Sequence, residues 1–174
     1  MENSTETTQV TDSFGYTASQ VADYFIQLSS QKMVDENTPE GVSPLKLQKL
    51  LYFAQAASLA LTGKRLFEEE IQAWKFGPVI PSVYHTYKDA GNTPLTKSTG
   101  EFESVTNEEA QKMIRGVWEL FDKYSASELV EITHNHAPWK ESYKEGLNQT
   151  IDVNVLRDYY KNIFTYQETR EATA

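Results

Sequence analysis

The chain has 174 residues, with 25 Asp and Glu against 16 Lys and Arg, a net charge of −9 and no cysteine. This excludes a disulfide framework and thiolate chemistry, and it argues against direct nucleic-acid binding, which needs clustered Lys and Arg. Hydrophobic residues at 39% and aromatics at 12% are enough for one folded domain with its own core, and the acidic balance suits a basic protein partner as well as simple solubility.

Residues 1–16, MENSTETTQVTDSFGY, have few large apolar side chains and are expected as a flexible acidic and polar tail. They contain no apolar signal-peptide core, so cytoplasmic residence is expected. Thr17 and Gln20 then make a T-x-x-Q capping box. Val21, Ala22, Phe25 and Leu28 follow at helical spacing, which predicts a helix over 18–32. ENTPEG, at 36–41, is a turn-rich connection.

The longest apolar-rich run is SPLKLQKLLYFAQAASLALTG, residues 43–63. Ser43 suits the N-cap, Pro44 the first helical position, and Gly63 a left-handed stop. Leu47, Leu50, Leu51, Ala54, Ala57 and Leu61 fall on one face, with Leu45, Tyr52 and Leu59 nearly opposite. A helix apolar on several sides is surrounded by protein, and Lys46 and Lys49 in its first turns exclude a membrane span. The fold is therefore expected to be organised around this buried helix.

Residues 65–67 and 72–75 read as short strands, with a β-hairpin expected near 65–75. Glu68-Glu69-Glu70 between them reads as a solvated turn in preference to a carboxylate cluster for acid–base work. Gly77-Pro78 breaks the pattern, and Pro81 opens a helix to about 88 that carries His85 on its surface. Residues 92–102 form a polar connection, an exposed loop or ragged hairpin. Thr106 and Glu109 read as a second capping box. Ala110, Met113, Ile114, Val117, Trp118 and Phe121 then trace the clearest amphipathic helix in the chain.

Ser125 and Glu128 make a third box, and Leu129, Val130 and Ile132 open a short helix. HNHAPW, at 134–139, is expected to end it, because Pro138 disfavours helix at Ala137. Residues 140–149 read as a loop, after which Asp152 caps a last helix through Val155, Leu156, Tyr159, Tyr160 and Phe164. The whole reads as mainly α: a single helical domain over 17–165 between tails 1–16 and 166–174.

No catalytic signature stands out. The eight glycines are scattered singly, so no phosphate-binding loop is present, and there is no H-E-x-x-H zinc pattern. His134 and His136 spell HNH with Asn135. A nuclease reading is opposed by their close spacing and the acidic charge, so His134 is expected to cap or pack near Trp139. Trp74, Tyr84, Trp118 and Trp139 could form an interaction patch. Helical spacing puts Trp118 in the core, and the Gly-Pro and Ala-Pro breaks suggest that Trp74 and Trp139 pack on turns. No catalytic, cofactor-binding or metal residue is assigned.

Three stretches in this order, LKLQKLLYFAQ, IQAWKFGPVIPSVYHTYK and LVEITHNHAPWKESY, resemble the Panacea domain, the SocA-like antitoxin domain related to phage-associated GepA-type proteins. The resemblance spans roughly residues 16–164 and implies a mostly helical antitoxin of a bacterial or prophage toxin–antitoxin pair. It further implies neutralisation by direct protein binding, with proteolytic delivery in one branch of the family. Toxins paired with the family include alarmone-synthetase-like, Fic-type and RNA-cleaving proteins. The motif falls on Lys46, Gln48, Lys49, Tyr52, Trp74, Gly77, Pro78, Pro81, His134, Pro138 and Trp139, as scaffold or as a toxin-binding groove. It implies no catalytic role, and no added DNA-binding module is expected before residue 16.

The leading expectation is an antitoxin bound to a cognate toxin with a basic RNA- or nucleotide-handling site, without cofactor, membrane or direct nucleic-acid contact. A proteolysis adaptor, or a phage-encoded protein that binds a host target, is the alternative. A hydrolytic enzyme would need His134, His136 and Glu68–Glu70 to converge.

Overall fold

The computed structural model describes residues 8–96 and 103–164. Strand β1 (Ser13–Tyr16) comes first, inside the segment expected as a flexible tail. Its partner lies some fifty residues downstream, which is why local composition gives no sign of it. Helix α1 (Ala18–Asp35) opens on the capping box, with Thr17 accepting from Gln20 N and Gln20 returning to Thr17 N. Its inner face is Val21, Ala22, Phe25 and Ile26.

Helix α2 (Pro44–Thr62) is the centre of the molecule. Ser43 caps it by accepting from Lys46 N, and Gly63 closes it at φ 73°. Every residue from Leu47 to Leu59 is buried. Helix α1 and the helices over 108–121, 126–135 and 153–160 surround it.

Strand β2 (Arg65–Phe67) runs parallel to β1. Strands β3 (Gln72–Trp74) and β4 (Gly77–Val79) pair antiparallel, with Trp74 opposite Gly77. The hairpin therefore lies at 72–79 and not at 65–75, although both strand positions were legible. Two local forces separate β2 from β3. The Gln55 side chain holds both edges of β2's end, taking Leu66 N at 2.7 Å and giving to Phe67 O at 2.9 Å. Glu69 in the turn accepts from Ala18 N at 2.6 Å, which draws the chain toward the start of α1.

Helix α3 (Pro81–Tyr87) begins on its proline and passes into a 3-10 turn, Lys88–Ala90. The connection expected over 92–102 lies beyond the described residues from 97 onward. Helix α4 (Glu108–Phe121) is capped by Asn107, which accepts from Ala110 N at 3.0 Å, and not by Thr106. Either residue type can cap, and the box pattern placed the start one residue early. Helix α5 (Ala126–Asn135) has the Ser125–Glu128 box as expected.

A sixth helix, α6 (Ala137–Ser142), occupies what was read as the end of α5 and the start of a loop. Pro138 does stop α5. It also sits in the first turn of α6, where a missing N–H is harmless, so the same residue starts the next helix. Helix α7 (Val153–Tyr160) is capped by Asp152 and lies against α2. The N-terminal segment reaches α7: Val10 N donates to Asn154 Oδ1 at 2.9 Å, and Arg157 donates to the Thr8 carbonyl.

The mainly α fold thus has its core on α2. Phe53 stacks on Phe121 at 4.1 Å between centroids, and Tyr52 meets Tyr160 edge-on at 5.8 Å. Among the described residues no helix is long and apolar enough to cross a membrane.

Candidate binding surface

The polar residues of α2 all face protein, and each has a specific task. Gln48 bonds both backbone groups of Ile80, accepting from its N–H at 2.8 Å and donating to its carbonyl at 3.3 Å. Lys49 is fully buried, and its Nζ donates to the Pro78 carbonyl at 2.9 Å. Ser58 donates to the Lys64 carbonyl at 2.7 Å. Together with Gln55, these side chains hydrogen-bond the backbone of β2, β4 and the turns beside them, tying those segments to α2. Burial pushes the Lys49 ammonium down to about 7, because taking a charge out of water penalises the protonated form.

The β3–β4 hairpin is fitted onto this surface. Gly77 has φ +103°, a conformation that favours glycine, and a Cβ there would lie 2.6 Å from Lys49 Cε and 3.0 Å from Thr133 Oγ1. Two residues, Lys75 and Phe76, make the turn between the strands. Trp139 on α6 donates its indole N–H to the Trp74 carbonyl at 2.8 Å. His134 stacks on Trp139 with centroids 3.9 Å apart, and Trp139 stacks in turn on Tyr143 at 4.7 Å. The His134 pKa is lowered, first by burial and then by the nearby Lys49 charge, while a bond to the Lys75 backbone opposes both.

The structure therefore gathers Gln48, Lys49, Trp74, Gly77, Pro78, Pro81, His134, Pro138 and Trp139 around one hairpin. The other two motif residues lie elsewhere. Lys46 bonds the Asp122 backbone carbonyl and lies 3.7 Å from its carboxylate, which also pairs with Lys32. Tyr52 shares a hydroxyl–hydroxyl bond of 2.9 Å with Tyr160, whose oxygen also meets His136 Nδ1 at 2.8 Å. Burial raises the pKa of both tyrosines and lowers that of His136. Sequence reasoning missed this Tyr–Tyr–His relay, as it missed Gln55. A polar residue inside an otherwise apolar helix was the available signal for Gln55.

Of the four aromatics considered as a patch, Trp74 meets Tyr84 edge-on at 4.9 Å and Trp139 joins them through the Trp74 backbone. Trp118 is half-buried on α4 against the core. His85 is exposed. Glu68, Glu69 and Glu70 line one shallow recess that contains neither histidine, where Glu69 accepts from Ala18 N and Glu70 accepts from Thr150 at 3.1 Å. The convergence that a hydrolytic site would need is missing, since His134 lies on Trp139 and His136 on Tyr160. Among the described residues no cluster of three or more His, Asp or Glu could hold a metal ion.

Beside the hairpin lies an apolar groove of about 260 Å³ between α2, the β3–β4 turn and α3. Trp74, Val83 and Tyr84 line its walls, and Leu45 and Phe76 stand at its edge.

This arrangement defines a class: a helical domain in which one buried helix rigidly presents an aromatic-faced hairpin. The chain belongs to the SocA-like antitoxin family with the Panacea domain, whose family model matches residues 47–140. That span contains every motif residue named above except Lys46. The chain is also 31% identical over 139 residues to Antitoxin SocA of Caulobacter vibrioides (strain NA1000 / CB15N), covering 73% of this chain and 74% of that protein. No solved structure matches.

Proposed function

We propose that this protein is the antitoxin of a bacterial or prophage toxin–antitoxin pair and neutralises a cognate toxin in the cytoplasm by binding it directly. Family membership carries the reading: the matched segment is the part of the chain that builds the hairpin and its supports. The geometry supports a binding protein over an enzyme, because the motif residues are spent on holding backbone and stacking rings. A net charge of −9 favours a toxin with a basic RNA- or nucleotide-handling site, since opposite fields speed encounter.

The test is co-expression with the product of the adjacent gene. Toxicity of that product alone, rescue by this chain and co-purification of the two are expected. A neighbour without toxicity overturns the reading. Rescue with loss of the partner from the cell would move the mechanism from occlusion to delivery for proteolysis.

A further inference from the structure

We infer that the groove between the start of α2, the β3–β4 turn and α3 docks a toxin segment that carries a bulky apolar anchor beside a carboxylate. This rests on the partner-binding reading and deepens it by assigning the face. At about 260 Å³ the groove is below the roughly 300–1,000 Å³ of small-molecule sites and suits one or two anchoring side chains. Its border exposes Leu45 at 37%, Phe76 at 62% and Tyr84 at 39%. Apolar surface concentrated beside a concavity gains from being covered.

The charge of the lip selects the occupant. Lys75 and Lys88 line the groove and no Asp or Glu does, on a chain where acids outnumber bases 25 to 16. The Lys75 ammonium lies 5.6 Å from the Phe76 ring centroid, so charge and apolar anchor point are adjacent. A carboxylate next to an apolar residue matches that pair. Tyr87 contributes ring surface to the lining and is itself only 4% exposed.

A second copy of the chain is the weaker occupant, because both copies carry −9. The site is also held before binding: Lys49 ties β4 to α2 and Gln48 ties the start of α3 to it, so little ordering is left for the partner to impose.

The experiment is selection of a phage-displayed random peptide library on the full-length protein. Enriched peptides are expected to carry a large apolar residue within one turn of an Asp or Glu. Their affinity should fall about tenfold or more in Phe76→Asp and in the Lys75→Glu/Lys88→Glu double variant, with a smaller loss at high salt. Phe76 and both lysines are exposed, so parent-like melting curves are expected alongside. Peptides without the acidic residue, binding indifferent to these substitutions, or an empty selection would each overturn the assignment. So would a concentration-dependent dimer that Phe76→Asp dissolves, or a Phe76→Asp protein that neutralises the toxin like the parent. Full rescue by the groove variant leaves the antitoxin reading intact. A harmless neighbour removes that reading, while the peptide selection still decides the groove.

Discussion

Lys49 and Gly77 compete for the same space: the lysine's Cε lies 2.6 Å from where a Cβ on Gly77 would sit. The lysine reaches the Pro78 carbonyl only because residue 77 has no side chain. Gly77→Ala therefore meets two penalties, a left-handed backbone and a clash with a buried chain. The expected loss is about 2–4 kcal/mol by chemical denaturation. Adding Lys49→Ala should recover part of that loss, leaving the backbone strain. A double-mutant cycle with no coupling would refute the shared-space account.

Lys49 should also make stability depend on pH. Between about 7 and 10.5 the unfolded chain keeps the Lys49 proton and the folded chain does not, so stability rises with pH through that window. The slope approaches about 1.4 kcal/mol per pH unit for one proton. Tyr52 and Tyr160, whose pKa values are raised, act in the opposite sense near the ordinary tyrosine value of about 10. Denaturation at pH 7 to 9 stays below the tyrosine range, and Lys46, whose pKa burial also lowers, adds in the same sense as Lys49. Lys49→Met should flatten the curve there, and a curve unchanged by that substitution would place the charge elsewhere.

Gln48 satisfies both backbone groups of Ile80. Gln48→Leu keeps the bulk but orphans the buried Ile80 N–H, at about 1–3 kcal/mol, while the Ile80 carbonyl keeps its bond from Tyr84 N at 3.0 Å. Amide hydrogen exchange at Ile80 should accelerate more than at the centre of α4, and uniform protection would count against the tether.

The core prediction is simpler. Leu50 and Leu51 are fully buried, so truncating either to alanine should cost about 2–5 kcal/mol. A melt that matches the parent would contradict the central position of α2.

How much of this was legible follows from the range of each interaction. The α2 boundaries, the Thr17 and Ser125 capping boxes and the Asp152 cap were readable because their signals lie within a few residues. The strands of 65–67 and 72–74 were visible, yet their partners were not: the first pairs with distant residues 13–16, and the second pairs with 77–79, where Gly77-Pro78 reads as a break. The motif residues could be picked out by resemblance, but their tasks could not. Nothing in K-L-Q-K says that one lysine serves Asp122 while the other is buried under a proline carbonyl. The groove was legible only in part: Gln48 and Trp74 belong to the motif, whereas Leu45, Phe76 and Tyr87 come from three elements.

The contacts from residues 8–10 to Asn154 and Arg157 impose an order in time. During synthesis α2 leaves the ribosome well before α7, so its Tyr52 side stays wet until residues 153–160 emerge. Residues 8–10 wait for α7 before they can be fastened. Ribosome-stalled chains that stop short of α7 should therefore be cut readily by proteases, and the finished surface should arrive in one late step rather than accumulate along the way.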